Sequence, residues 1–360
     1  MVYHIITLPV SILFIICGGG LFCYAIKLRK KFPEYHNFLN SICTFILWII
    51  AGLLYPVYFS TNNPNFKFFQ SLSIFFICIF TPSLIILILF YQLQFVVKKD
   101  PEIKEKRNIK VFLESFDKKD KELNRSRSYD YKTDLHRKAL HLFPAGIIIL
   151  LWIFSVYIWD GLWNADEIWG ISGEYYGKFL ILTAGYSGIL IFGALDYVRL
   201  SFIYENRNLF HLIPDSVLKL LGKAMKRREN YEFIRPTVLV LSFATIFFFP
   251  FGVFAAAVLI ATIGDGAASV IGLRFGKRHF PKTSDKTLLG YIAGFLASFG
   301  ISILMLWIFE SHLSLNKIII VATLGAITFF IIDILNLKID DNILNPIFCA
   351  LIMGFLYYFL

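Results

Sequence analysis

Long apolar runs alternate with short polar loops along the whole chain, and the runs approach the roughly 20 residues a helix needs to cross a bilayer. The pattern predicts ten helices, at 5–26, 39–60, 69–97, 140–159, 179–198, 236–250, 251–272, 288–309, 318–334 and 344–360. The sixth is short, and Pro250 is placed to join it to the seventh as a tight helical hairpin. The expected fold is all-α, a polytopic integral membrane protein with its N-terminus outside. Of the 35 lysines and arginines, all but Lys67, Lys178 and Lys317 fall in the loops 27–38, 98–139, 199–235, 273–287 and 335–343. Positive loops stay in the cytoplasm, which sets the orientation. The loop at 160–178 carries Trp163, Trp169, Tyr175 and Tyr176 with Asp160, Asp166, Glu167 and Glu174, as an outer interface would.

Composition agrees: 57% of the 360 residues are hydrophobic, against about 45–50% in soluble domains, and mean hydropathy is +0.67. The first run lacks a basic flank before it and a small-residue cleavage site after it, so it is expected to remain as a helix and not to be removed as a signal peptide. The net charge of +10 follows from the loops and reports topology, so no nucleic-acid partner is expected. Cys17, Cys23, Cys43, Cys78 and Cys349 all lie in apolar runs without paired spacing, which points away from disulfides and from a Cys/His metal site.

Polar chemistry divides the chain. Residues 1–97 form a three-helix module with no acid or base in its spans. Residues 98–133 form a charged cytoplasmic linker or surface helix, with Lys118-Lys119-Asp120-Lys121-Glu122 at its centre. Residues 134–360 form a seven-helix domain whose most informative stretch is Ala261-Thr262-Ile263-Gly264-Asp265-Gly266-Ala267-Ala268-Ser269-Val270-Ile271-Gly272. Its single carboxylate, Asp265, is costly inside a bilayer and marks a functional site unless it only pairs with a neighbouring helix. If the helix runs unbroken to Arg274, Asp265 lies roughly 13 Å inward at about 1.5 Å per residue.

Other polar groups fall at the same cytoplasmic level. In Asp134-Leu135-His136-Arg137-Lys138-Ala139-Leu140-His141, helical spacing puts Asp134, Lys138 and His141 on one face, and likewise Arg137 and His141. Asp196 and Arg199 close the fifth span, as an intrahelical pair or an interfacial anchor, and Lys226-Arg227-Arg228-Glu229 precedes the sixth. Lys277, Lys282 and Lys286-Thr287 follow the Asp265 helix, and Asp333, Asp340, Asp341 and Asn342 flank the last turn. Carboxylates of this kind hold Mg²⁺ through one or two acids plus substrate phosphates. Lysines and arginines neutralise phosphate oxygens in phosphoryl transfer. Gly272-Leu273-Arg274-Phe275-Gly276-Lys277-Arg278 is not a Walker A loop: it is one residue short between its glycines and has Arg278 in place of Ser or Thr.

Four ordered motifs resemble the polyprenol kinase group, which includes dolichol kinases, phytol kinases and CTP-dependent diacylglycerol kinases and is related to phosphatidate cytidylyltransferases. Arg137-Lys138-Ala139-Leu140-His141 is similar to its Arg-Lys-x-x-His entry motif. Asp196-Tyr197-Val198-Arg199, Asn208 and Arg228-Glu229 are similar to its central signature. Gly264-Asp265, Gly272, Phe275-Gly276-Lys277 and Lys286-Thr287-x-x-Gly290 match its core, and Asp333 with Asp340-Asp341-Asn342 and Pro346 its closing motif. Leu289 replaces a common glutamate, Tyr291 a small hydroxyl residue, and Arg235-Pro236-Thr237 a Gly-Ala-Thr-like entry.

The resemblance implies a multi-pass membrane enzyme, in the endoplasmic reticulum of a eukaryote or the plasma membrane of a prokaryote, with its site facing the cytoplasm. It would use CTP or another NTP, with Mg²⁺, to phosphorylate an isoprenoid alcohol such as dolichol or a polyprenol, its partners being that lipid, the nucleotide and membrane lipids. Asp265, Asp333 and Asp341 would hold the metal. Arg137, Lys138, Gly264, Lys277, Thr287 and Asn342 would hold the nucleotide, and Lys286 would act on the phosphates at the reacting centre. His141 and Asp265 are alternatives for the base. A phosphatidate-type lipid cytidylyltransferase is the first rival reading, and a non-enzymatic transporter or scaffold the second.

Overall fold

The computed structural model describes residues 5–60, 63–123, 127–204, 207–281 and 286–360, and no side chain from 118 to 133. Lys282 and the side chains of Lys118–Glu122 lie outside the described residues. The regular structure of the described residues is helical, apart from one two-residue bridge. Nine of its helices are long and apolar enough to cross a membrane. The sixth predicted span is a 12-residue helix, Arg235–Ile246, because the apolar run is cut by the turn at 247–250; Pro250 then caps the next helix.

The long helices are α1 (Ile5–Lys31), α2 (Phe38–Tyr58) and α3 (Pro64–Val97). A surface helix follows, α4 (Ile109–Leu123), and then α5 (Arg127–Ile153), which continues through a π turn to Asp160. After these come α6 (Gly173–Leu200), a short amphipathic helix α7 (Asp215–Ala224), and α8 (Arg235–Ile246). The last four are α9 (Phe251–Phe275), α10 (Leu288–Phe309), α11 (Leu315–Leu335) and α12 (Asp341–Phe359).

Packing separates two compact units, Met1–Glu122 with Ile147–Ala244, and Leu123–Gly146 with Thr245–Leu360. The predicted 134–360 domain therefore draws on both. In the first unit, Gly18 lets α1 approach Trp48 of α2; a methyl there would lie 2.6 Å from the Trp48 Cβ. Phe14 packs its ring 5.0 Å from Trp48 and 4.7 Å from Tyr186. Hydroxyls in these spans satisfy one another, as they must where water is absent: Tyr55 Oη and Thr183 Oγ1 both donate to Ser73 Oγ, and Tyr186 Oη donates to the Ala51 carbonyl. The segment after α3 is a surface helix packed on an apolar cluster. Phe112 and Phe116 of α4 join Val97, Phe210, Leu212, Ile213, Leu221 and Ile234 there. Arg107 clamps Asp215 with two hydrogen bonds of 2.9 and 2.8 Å.

In the second unit, α9 and α10 run antiparallel along two small-residue stripes, as membrane helices do when their backbones approach closely. Gly264 faces Ser298, Ala268 faces Gly294, and Gly272 faces Gly290. At the far end Glu310 accepts hydrogen bonds from the Gly252 amide and from Tyr357 Oη, tying together the ends of α9, α10 and α12. A methyl added at Gly290 would sit 2.7 Å from the Ala268 carbonyl oxygen and 3.2 Å from the Gly272 Cα, both backbone atoms that cannot turn away. Gly290→Val is therefore expected to cost about 1–3 kcal/mol in unfolding measured in detergent, whereas Gly300→Ala, with nothing within 4 Å, is expected to be neutral.

Candidate active site

The candidate site is built at one end of the second unit, where α9 ends, α10 and α12 begin and α11 ends. The entry to Asp265 is a π turn. Over Ile260–Gly264 the helix widens by one residue, and the Asp265 amide donates to the carbonyl of Ile260, five residues back. Such turns occur inside helices most often at functional positions. From Asp265 the helix runs unbroken to Phe275.

Asp265 meets Lys138 of α5 in a direct ion pair, Nζ to Oδ2, with both side chains almost wholly buried. One helical turn away a second contact runs between the same two helices: Ser269 Oγ donates to Asp134 Oδ2 at 2.6 Å. The other oxygen of Asp134 accepts from Arg137 Nη2 at 2.7 Å. Both rungs join residues four apart on each helix, about 6 Å of rise, which antiparallel helices match.

Lys286 forms the second ion pair. Its Nζ lies 2.5 Å from Asp333 Oδ1 and also donates to the Asp333 carbonyl at 3.2 Å. An antiparallel bridge between His279 and Thr287 places it: the Phe280 amide donates to Lys286 O, and the Leu288 amide to Arg278 O. Burial alone would push the Lys286 ammonium down, but Asp333, with Asp341 and Asp265 behind it, outweighs burial and holds it above the ordinary lysine value. Asp333 and Asp341 are brought to one end by a turn in which Asn336 adopts φ +43°, the left-handed conformation that ends α11. Asp340 then caps α12, accepting from the Asn342 amide at 2.9 Å, and puts Asp341 in the first turn, where the helix dipole favours a carboxylate.

The carboxylates of Asp341 and Asp333 act on Asp265, and those of Asp265, Asp341 and Asp134 on Lys138, so the charges form one electrostatic group. Among the described residues no three His, Cys, Asp or Glu side chains converge into a metal cage. A Mg²⁺ ion that needs only one or two acids, with phosphate oxygens and water completing its shell, fits Asp341 with Asp265 or Asp333; a metal held by protein alone does not.

The other predicted residues have varied surroundings. Asn342 Nδ2 donates to Asp340 Oδ1 at 2.7 Å and to Asp341 Oδ1 at 3.4 Å, supporting the carboxylate turn. Thr287 caps α10, accepting from the Gly290 amide at 3.2 Å, and packs beside Gly272 and Gly276. Gly264 serves the close approach to α10. His141 is buried on α5, one turn beyond Lys138. Lys277 is exposed beyond the end of α9.

No protein-family model matches the chain, and no solved structure matches it. A probable chloroplastic phytol kinase of Triticum aestivum is 29% identical over 154 residues, covering 40% of this chain and 50% of that protein. Chloroplastic phytol kinase 1 of Arabidopsis thaliana is 29% identical over 224 residues, 59% of this chain and 63% of that protein. A probable chloroplastic phytol kinase 1 of Oryza sativa subsp. japonica is 31% identical over 121 residues, 31% of this chain and 37% of that protein. These matches support the chain's resemblance to the phytol and polyprenol kinase group. The chain spans less than two thirds of the length of each of these relatives.

The group's central signature takes a structural form here, within the first unit. Asp196 and Arg199 are a fully buried pair, with Arg199 Nη2 2.7 Å from Asp196 Oδ1. Arg199 also donates to the carbonyls of Asn230 and Glu232, and Asp196 accepts from the Ile234 amide at 3.1 Å. The predicted intrahelical pair thus exists, and it pins the 230–234 backbone to α6. Helical spacing put Asp134 on the face of Lys138, but the motifs did not point to Ser269 or to its contact with Asp134. The signal for both residues was spacing: each lies four residues from a member of the Lys138–Asp265 pair.

The raised Lys286 value has a definite pH consequence. A lysine held above its unfolded value stabilises the fold fully below that value, near 10.5, and loses the contribution as pH rises through the folded one. The Lys286–Asp333 pair is therefore expected to persist through neutral pH and open only in strong alkali. Titration by NMR of isotope-labelled lysine methylene groups should place Lys286 above 10.5 and find it lowered by Asp333→Asn. An unchanged titration in that variant would contradict the pairing.

Proposed function

We propose that the protein is a membrane kinase that transfers the terminal phosphate of a nucleoside triphosphate, CTP or another NTP, to the hydroxyl of an isoprenoid alcohol. The observation that carries this reading is the pair of lysine–aspartate contacts, Lys138–Asp265 and Lys286–Asp333, grouped with Asp341 at one end of a bundle of membrane spans. Its relatives are named phytol kinases, which supports an acceptor of the isoprenoid class; phytol, dolichol and other polyprenols are the candidates within it. The loop charges support a site open to the cytoplasm.

Lys138 and Lys286 would turn from their carboxylates to phosphate oxygens and neutralise the charge that phosphoryl transfer spreads over them. Asp265, Asp333 and Asp341 would hold Mg²⁺, which supplies further charge neutralisation when bound. Arg137 and Lys277 would add positive potential, and Asn342 would keep Asp341 in place. The acceptor hydroxyl needs a base: Asp265 lies in the charged group, and His141 a turn beyond Lys138 on α5.

Purified protein in lipid, with Mg²⁺ and CTP labelled in separate tubes at the γ- or the α-phosphorus, tests the reading against phytol, geranylgeraniol, dolichol, a long polyprenol, diacylglycerol and phosphatidic acid. The γ label is expected in the organic phase with an isoprenoid alcohol, and ATP, GTP and UTP in parallel tubes identify the donor. Asp265→Asn is expected to lower turnover by about 100-fold or more with its helical circular dichroism retained. Label from the α position with release of pyrophosphate would make the protein a cytidylyltransferase, and full turnover by Asp265→Asn would remove that residue from the chemistry.

A further inference from the structure

Asp134 occupies a place that the nucleotide chemistry does not explain. It is buried, on α5 one turn before Lys138, and its two oxygens go to different partners. One accepts from Arg137 Nη2 at 2.7 Å, the other from Ser269 Oγ at 2.6 Å. Arg137 precedes Lys138 in sequence, and Ser269 lies one turn beyond Asp265 on α9. Asp134 is therefore bonded to a near neighbour of each member of the Lys138–Asp265 pair. The Ser269 contact also fixes the register of α5 against α9. A slip of one residue along either helix would swing the side chains by about 100° and separate both rungs.

We infer that Asp134 and Ser269 are positioning residues, a strut that holds α5 in register on α9 so that Lys138 is delivered to the reacting phosphate, and that Arg137 belongs to this strut. The assignment rests on the kinase reading for its catalytic consequence, but the strut itself is a property of the two helices. It separates the adjacent cations by role: Lys138 faces the carboxylate group and Arg137 braces it. Misplacement of a reacting group by about 1 Å is enough to cost on the order of 100-fold in rate.

The test uses the full-length protein in lipid nanodiscs and four variants, Asp134→Ala, Asp134→Asn, Ser269→Ala and the Asp134→Ala, Ser269→Ala double. Four quantities are read: kcat and KM for the nucleotide, the thermal midpoint, and the labelling of Lys138 by an amine-reactive reagent, followed by mass spectrometry. Asp134→Ala is expected to lower kcat about 100-fold and to raise Lys138 labelling selectively over that of Lys286. Ser269→Ala is expected to lower kcat about 10-fold alone and to add nothing in the double variant, because residues acting as one unit are not additive. Asn at 134 keeps its carbonyl oxygen as the acceptor for Arg137 and can reverse the other bond, its amide N–H donating to Ser269 Oγ, so it should restore kcat to within about threefold of wild type.

Multiplicative losses in the double variant, an Asn variant no better than Ala, or unchanged Lys138 labelling would overturn the strut. If Asp134→Ala does not fold, Ser269→Ala and Asp134→Asn carry the same comparison. If wild-type protein phosphorylates no alcohol from any donor, the kinase reading fails while the Lys138 labelling still decides the strut.

Discussion

Everything about the second unit turns on the cost of carrying charge inside membrane helices. A lone Asp265 would be expensive at its depth, and Lys138 offsets that cost directly. Neither partner is stable there without the other, since breaking a buried pair leaves an uncompensated charge worth about 3–5 kcal/mol. The same exchange is repeated by Lys286 and Asp333 at the end of α11. Close approach is what makes the pairs possible. The small-residue stripes of α9 and α10 bring backbones together, the π turn orients Asp265, and the bridge of His279 with Thr287 sets Lys286 beside the end of α9. A group of acids and bases that neutralise one another is also one whose cations can be redirected to phosphate.

Much of this was legible in the residues. Nine of the ten apolar runs became helices long enough to cross a membrane among the described residues, and Asp265 stood out because acids are rare in such runs. The entry, core and closing motifs promised that Lys138, Asp265, Lys286, Asp333 and Asp341 would meet, and they lie in one electrostatic group. The sixth run fell short of a span because Ile246 ends its helix ahead of the turn at 247–250, where turn geometry, and not hydropathy, sets the boundary.

Contacts between ordinary polar residues far apart in sequence were not legible. Ser269 looks like one more small residue in a packing stripe, and its bond to Asp134 spans 135 positions. Arg199 looks like a partner of Asp196 alone, yet it also holds carbonyls 31 and 33 residues away. Thr287 and Gly264 read as nucleotide contacts from the motif, while their local geometry is that of a helix cap and a helix crossing. Spacing along a helix predicts which side chains share a face; which helix that face meets is a tertiary fact.

The claim that the Lys138–Asp265 pair is a compensated charge kept for chemistry is tested most directly by a double-variant cycle in lipid, reading unfolding and turnover together. Lys138→Met and Asp265→Leu should each destabilise by several kcal/mol, while the double variant recovers most of that stability and remains inactive. Single variants with unchanged stability, or a double variant that keeps its turnover, would contradict the account.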